Sequence, residues 1–235
     1  MTTHLLRHGR TEYSARYLVN GDPAVQLQLD EEGVRACHTA RPSLPIESAR
    51  TWIASAFPRA QQTAALLIGE EARLPVVIPL LNELDYGCFE GAPFLEYAAW
   101  LQHHGPWAEP PGAGECQREG IRRMLLGLMA ALEEPGPRVV VAHGLLLSVM
   151  DWHLSRTPGN AMPLFFPEAP YLVPLAIDDD PMGKHVAALL DELDNEDRRH
   201  GWAPGHVPIS GTDAASALAN VDSPQKPLEE QPSHA

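Results

Sequence analysis

Val139-Val140-Val141 narrows the folds open to this chain more than any other feature. A continuous apolar run framed by Arg138 and Ala142 is what a strand buried on both faces requires, and such strands belong to parallel sheets covered by helices. The rest of the chain agrees. Short β-branched or apolar runs at Thr3–Leu6, Thr51–Ser55, Val76–Leu80, Arg138–Ala142 and Tyr171–Ile177 alternate with segments of helical period. Ile121, Leu125, Leu128 and Leu132 recur at i, i+4, i+7 and i+11, and Leu145, Val149 and Trp152 repeat that pattern after His143. Asp30 is placed to cap a helix running through Val34, Cys37 and His38, and Pro58 to open another that carries Arg59, Thr63 and Leu67. The expected class is α/β, with a mostly parallel central sheet.

Composition bounds what such a fold can bind. Seventeen Lys+Arg against thirty-one Asp+Glu leave a formal charge of −14, which repels the phosphates of nucleic acid and of anionic lipid. No nucleic-acid partner is expected. No apolar run approaches the roughly 18–20 residues of a membrane helix, so no membrane partner is expected and a cytoplasmic location is. Cys37, Cys88 and Cys116 lie far apart and suggest neither a disulfide framework nor a zinc site. A single domain is expected over residues 1–202. From Ala203 onward, five prolines and no aromatic residue cannot offset ordering entropy, so residues 203–235 read as a disordered or loosely docked tail. Lys184–Arg199 reads as a helix with Asp191, Glu192, Asp194, Glu196 and Asp197 on a solvated face.

Chemistry concentrates at the strand ends. In open α/β sheets ligands collect beyond the carboxyl ends of strands, where Arg7-His8-Gly9 follows the first strand and His143-Gly144 follows the Val139–Val141 strand. Two histidines so placed can face one pocket. Arg59 stands at a helix start, where the macrodipole disfavours a cation unless an anion is bound. Glu83 is either a solvated loop carboxylate or, given Leu81, Tyr86 and Phe89 around it, a partly buried acid of raised pKa. Other features carry less. His103-His104 cannot point the same way on a helix, Asp178-Asp179-Asp180 reads as a solvated turn, and Phe94, Tyr97 and Trp100 read as a core stripe. The segment Pro106–Gly114 reads as an irregular surface loop with the makings of a lid.

Four ordered motifs resemble those of the histidine phosphatase superfamily, which includes the phosphoglycerate-mutase-like phosphatases. They are Arg7-His8-Gly9-x-Thr11-Glu12, Ser55-x-x-x-Arg59-Ala60-x-x-Thr63-Ala64, Leu81-x-Glu83-x-x-x-Gly87-x-x-Glu90-Gly91 and His143-Gly144. The resemblance implies a three-layer α/β/α sandwich and a reaction that passes through a phosphohistidine. A phosphomonoester needs charge neutralisation, an in-line nucleophile and a proton for its leaving oxygen. Arg7 and Arg59 suit the nonbridging oxygens, His143 if protonated adds a third donor, His8 is the nucleophile and Glu83 the proton donor and later base. Thr11 and Ser14 offer hydroxyls, and Asn20-Gly21 and Gly144 fall where relatives approach the substrate. Glu12 either orients an arginine or touches substrate. No metal or cofactor is expected.

The function expected from this resemblance is metal-independent hydrolysis of a small phosphomonoester. Two alternatives share the fold: a phosphoglycerate mutase, and a non-catalytic protein that binds phosphorylated ligands. The mutases carry a longer, more basic insertion than the 52 positions between Gly91 and His143, and the non-catalytic reading does not need the intact nucleophile. Gln28-Leu29-Asp30, two added residues between Gly21 and Gly33, and Ser148 depart from the usual pattern, so sugar phosphates, nucleotide-precursor phosphates and phosphorylated acids all stay open as substrates.

Overall fold

The computed structural model describes residues 1–44, 46, 48–69 and 74–196. The proposed tail, residues 203–235, lies outside them. Five strands form one sheet: β1 (Thr2–Arg7), β2 (Thr51–Ala54), β3 (Val76–Val77), β4 (Arg138–Ala142) and β5 (Leu175–Asp178), in the order β3-β2-β4-β1-β5. All neighbouring pairs are parallel except β1 with β5. Seven α-helices occur among the described residues: α1 (Glu12–Ala15), α2 (Glu31–Ala40), α3 (Pro58–Ile68), α4 (Phe94–His104), α5 (Gln117–Leu132), α6 (Gly144–Ser155) and α7 (Asp179–Asn195).

The period of two along each strand divides the core into two layers. Leu5, Ile53, Val140 and Ile177 face a cluster built with α4, α5, α6 and α7, whereas Leu6, Trp52, Val139 and Val141 face one built with α2 and α3. This is the expected three-layer α/β/α arrangement. Val139, Val140 and Val141 are fully buried, each worth about 1.5–3 kcal/mol relative to exposure. The caps fall where the sequence puts them: the Asp30 carboxylate accepts from the Gly33 amide at 2.7 Å, and Pro58 opens α3. Of the stripe Phe94, Tyr97 and Trp100, Tyr97 is buried in the core and packs edge-on against Tyr86, Trp100 is partly buried and Phe94 is exposed, because only one face of α4 meets the core.

Several boundaries differ from the sequence reading. The strand expected over Val76–Leu80 is only Val76–Val77, because Pro79 starts a 3-10 turn that carries the chain to Leu81. The strand expected from Tyr171 starts at Leu175 and runs antiparallel, while Tyr171 makes only an isolated bridge to Arg7. Asp178-Asp179-Asp180 is no solvated turn: Asp178 ends β5, and Asp179 in the first turn of α7 accepts from Arg138 at 2.9 Å and from the Thr3 hydroxyl at 3.1 Å. The last helix therefore begins five residues before Lys184. Its acidic face is not merely solvated either, since Glu192, Asp194 and Glu196 pair with Arg156, Arg122 and Arg118.

Candidate active site

Strand register brings the two histidines together. Arg7 of β1 lies opposite Ala142 of β4, so His8 and His143 leave adjacent parallel strands at the same level, and the His8 amide bonds the Ala142 carbonyl at 3.0 Å. Their ring centroids are 5.3 Å apart. Ala54 of β2 pairs with Val141, which places Ser55 beside them, and the Ser55 hydroxyl lies 2.7 Å from His143 Nε2. Three strand ends thus converge on one point.

The hydrogen bonds assign the proton on each ring. His8 Nδ1 lies 2.7 Å from the Gly9 carbonyl, an acceptor, so Nδ1 carries the hydrogen and Nε2 keeps its lone pair. Arg59 Nε donates to that lone pair at 3.0 Å. Burial, then the guanidinium charges of Arg59 and Arg7, hold the His8 pKa well below the ordinary 6.5, with the Gly9 bond opposing. His8 is a neutral imidazole near neutral pH.

Arg59 is the hub. It is almost fully buried, and besides His8 it donates to the Asn20 side-chain oxygen, to the Asn20 carbonyl at 3.0 Å and to His143 Nδ1 at 3.2 Å. Burial lowers its pKa to about 10, with the Glu83, Tyr86 and Glu90 charges resisting. Because an arginine N–H points at His143 Nδ1, that nitrogen accepts, and the ring's hydrogen sits on Nε2 facing Ser55. Burial and the neighbouring Arg59 charge also keep the His143 pKa well below 6.5. His143 is therefore a neutral ring holding Arg59, and the third cation expected of its protonated form is not present in this geometry.

Arg7 is clamped from a distant part of the chain. One terminal nitrogen donates to Glu168 at 2.7 Å and to the Ala169 carbonyl at 2.6 Å, the other to the Tyr171 hydroxyl at 3.1 Å, and the guanidinium lies 3.9 Å over the Tyr171 ring. Its Nε is buried without a hydrogen-bond partner, a donor available to an oxyanion. Ser148, one of the departures from the family pattern, accepts from the Ala169 amide at 3.1 Å and so fixes the clamp. Gly144 lets Arg7 pass close by, since a Cβ there would stand 3.3 Å from Nε. Glu168, Tyr171 and Ser148 carried no role in the sequence reading. The spacing of Ser148 one helical turn after Gly144 is the only local signal for any of them.

The other expected residues divide. Asn20 and Gly21 join the cluster: the Glu90 carboxylate accepts from Asn20 Nδ2 and the Gly21 amide, both at 2.7 Å, holding Asn20 against Arg59. Thr11 and Ser14 instead bond each other in a capping box at the start of α1, with each hydroxyl accepting from the other residue's amide. Exposed Glu12 lies 3.6 Å from the likewise exposed Arg16 on the surface of α1 and pairs with neither Arg7 nor Arg59 among the described contacts. The Thr63 hydroxyl of α3 accepts from the Gly9 amide at 3.0 Å and braces the turn after His8.

Glu83 is half-buried, and Oε1 accepts from the Leu84 amide at 2.8 Å. Burial raises its carboxyl above the ordinary 4.5, opposed by that bond and by the Arg59, Arg7 and Arg123 charges. It lines a cavity of about 520 Å³, within the range of small-molecule sites. The cavity walls include Gly21, Asp22 and Glu90 but none of His8, Arg7, Arg59 and His143, so Glu83 and the Asn20–Gly21 loop stand between the cavity and the histidine–arginine cluster. Gly112 and Gly114 of the irregular loop complete one side. Among the described residues no group of three or more His, Cys, Asp or Glu side chains is arranged to hold a metal ion, and no helix is long and apolar enough to cross a membrane.

Comparison with known proteins gives a consistent picture. A family model described as the histidine phosphatase superfamily (branch 1) matches residues 3–180. A candidate alpha-ribazole-5′-P phosphatase from Escherichia coli str. K-12 substr. MG1655 is similar in structure, with a TM-score of 0.60 and 26% identity over 75% of this chain and 89% of that one. The alpha-ribazole phosphatase from Shigella flexneri has a TM-score of 0.59 at 23% identity, covering 76% of this chain and 90% of that one, and supports the fold alone. A mycobacterial glucosyl-3-phosphoglycerate phosphatase has a TM-score of 0.53 at 25% identity over 67% of this chain and 83% of that one. No curated protein matches the chain.

Proposed function

The chain belongs to the histidine phosphatase superfamily, and from that membership we propose that it is a metal-independent phosphatase that hydrolyses a small phosphomonoester through a phosphohistidine on His8. One observation carries the reading. The Gly9 carbonyl takes the His8 Nδ1 hydrogen and so keeps the lone pair on Nε2, which in the unliganded site accepts from Arg59 Nε at 3.0 Å; an incoming phosphoryl oxygen takes over that arginine hydrogen and turns the lone pair to phosphorus. A neutral, oriented imidazole beside a guanidinium is the arrangement that nucleophilic attack on a dianion needs.

In the first step His8 Nε2 attacks phosphorus while the bond to the ester oxygen breaks. The Glu83 carboxyl, raised in pKa by burial, gives its proton to the departing alkoxide. In the second step water attacks the phosphohistidine, the Glu83 carboxylate takes its proton, and inorganic phosphate leaves with His8 restored. Arg7 and Arg59 neutralise the nonbridging oxygens throughout, and His143 and Asn20 hold Arg59 in place.

The test is direct. The His8→Ala variant should lose turnover of phenyl phosphate while keeping the wild-type melting temperature, and rapid quench of the wild type should trap an acid-labile, base-stable phosphoryl adduct on His8. Near-wild-type activity in the variant would overturn the proposal.

A further inference from the structure

The charge of the cavity beside Glu83 bears on which alcohol leaves. This is the space on the protonating side of the site, so under the proposed function it receives the alcohol released when Glu83 donates its proton. Among the described residues its walls carry Asp22, Asp85, Glu90 and Glu115 as well as Glu83, against a single cation, Arg123. That cation is already committed. Arg123 pairs with Glu115 at 2.6 and 2.9 Å and donates to the carbonyls of Leu80, Asn82 and Glu83.

The remaining carboxylates are fixed in place by backbone amides. Asp85 accepts from Gly87 at 2.9 Å and from Gly114 at 2.8 Å, Asp22 from Ala24 at 2.8 Å, and Glu90 from Gly21 at 2.7 Å and Asp22 at 3.1 Å. Side chains tied to backbone cannot swing away from an incoming anion, and among the described residues no free arginine or lysine lines the cavity to meet one. The positive groups of the site, Arg7 and Arg59, belong to the cluster beyond Glu83 and are taken up by the phosphoryl group itself.

We infer that this cavity selects phosphomonoesters whose alcohol carries no second anionic group, favouring an uncharged hydroxylated or a cationic alcohol. The inference rests on the proposed phosphatase reading and narrows it: of the substrate classes the motifs leave open, phosphorylated acids are the one excluded. A carboxylate on the leaving alcohol meets like charge at close range in a partly desolvated wall, where a fixed unit charge is worth on the order of tenfold or more in rate.

The experiment compares kcat/KM for sn-glycerol 3-phosphate, 3-phosphoglycerate and O-phosphoethanolamine, with phenyl phosphate as a reference that depends little on leaving-group protonation. Glycerol 3-phosphate and phosphoethanolamine should each exceed 3-phosphoglycerate by at least about tenfold at low salt, and 0.5 M KCl should narrow the gap by screening. Asp22→Asn should narrow it too, with phenyl phosphate turnover unchanged, and Asp22→Asn combined with Asp85→Asn should narrow it further. Turnover of phenyl phosphate with equal or reversed preference between glycerol 3-phosphate and 3-phosphoglycerate overturns this inference and leaves the phosphatase reading standing. No turnover of phenyl phosphate overturns the phosphatase reading itself, and the selectivity with it.

Discussion

Gly21→Ala should cripple the enzyme through geometry alone. A Cβ at position 21 would stand 1.9 Å from the Leu84 carbonyl oxygen, 2.9 Å from its carbon and 2.9 Å from the Tyr86 ring. Ordinary carbon contacts fall near 3.5–4.0 Å, so two backbone segments must part by about 1 Å or more. Neither can move without consequence. Residue 20 holds Arg59 through its side-chain and backbone oxygens, and residue 84 follows Glu83 and supplies the amide that its carboxyl accepts. One methyl group therefore displaces the phosphate clamp and the proton donor together. A misplacement of about 1 Å costs on the order of 10²-fold in rate, and overpacking of this kind costs about 1–3 kcal/mol of stability. At about 2–4 °C per kcal/mol for a chain of this size, melting should fall by several degrees. The assay is kcat/KM on phenyl phosphate together with a thermal melt. The control is Gly183→Ala in the second turn of α7, whose Cβ would stand 3.9 Å from Leu132 Cδ1 and which should gain up to about 1 kcal/mol from helix propensity with activity unchanged. A Gly21→Ala enzyme within twofold of wild type would refute the claim that this contact sets the site's geometry.

Four further outcomes follow from the same site. Arg7→Ala and Arg59→Ala should each lower kcat by about 10²–10³, measured on phenyl phosphate, as loss of a preorganised donor does; full activity in both would remove the clamp from the mechanism. Glu83→Gln should slow alkyl phosphates much more than an activated aryl phosphate, and it should abolish the fall in alkyl phosphatase activity as pH rises through the Glu83 pKa, because only the protonated carboxyl serves the leaving oxygen. The same raised pKa makes Glu83's contribution to folding fully present below its unfolded value, ordinarily 4.5, and lost as pH rises through the folded value, so Glu83→Gln should melt higher than wild type at pH 7 and not at pH 3.5. Turnover should survive exhaustive dialysis against a chelator, since Arg7 and Arg59 supply the positive charge; loss restored by a divalent ion would contradict this.

The sequence by itself determined the layers and the chemistry's address. Val139–Val141 demands burial on both faces, Asp30 and Pro58 start helices by local hydrogen bonding and fixed φ, and Arg7-His8-Gly9 and His143-Gly144 follow strands, all properties legible within a few residues. Tertiary structure decided what those groups do. The register of β1 on β4, a pairing between segments about 135 residues apart, sets His8 and His143 at one level. The protonation of His143 could not be read from its neighbours in the chain, because burial and the Arg59 charge come from other elements. Thr11 and Ser14 read as phosphate donors in the sequence, but the turn of α1 directs their hydroxyl hydrogens inward, Thr11 Oγ1 donating to Ser14 Oγ and Ser14 Oγ to the Thr11 carbonyl. Glu168 and Tyr171 reach Arg7 only because the chain after α6 folds back along β1, where Ser148 of α6 holds the Ala169 amide, and the one-sided charge of the cavity arises where the Asp22, Asp85, Glu90 and Glu115 loops meet. Periods and caps are local energies and show in local sequence; register, burial and the field inside a cavity are sums over residues distant in the chain, and exist only once it has folded.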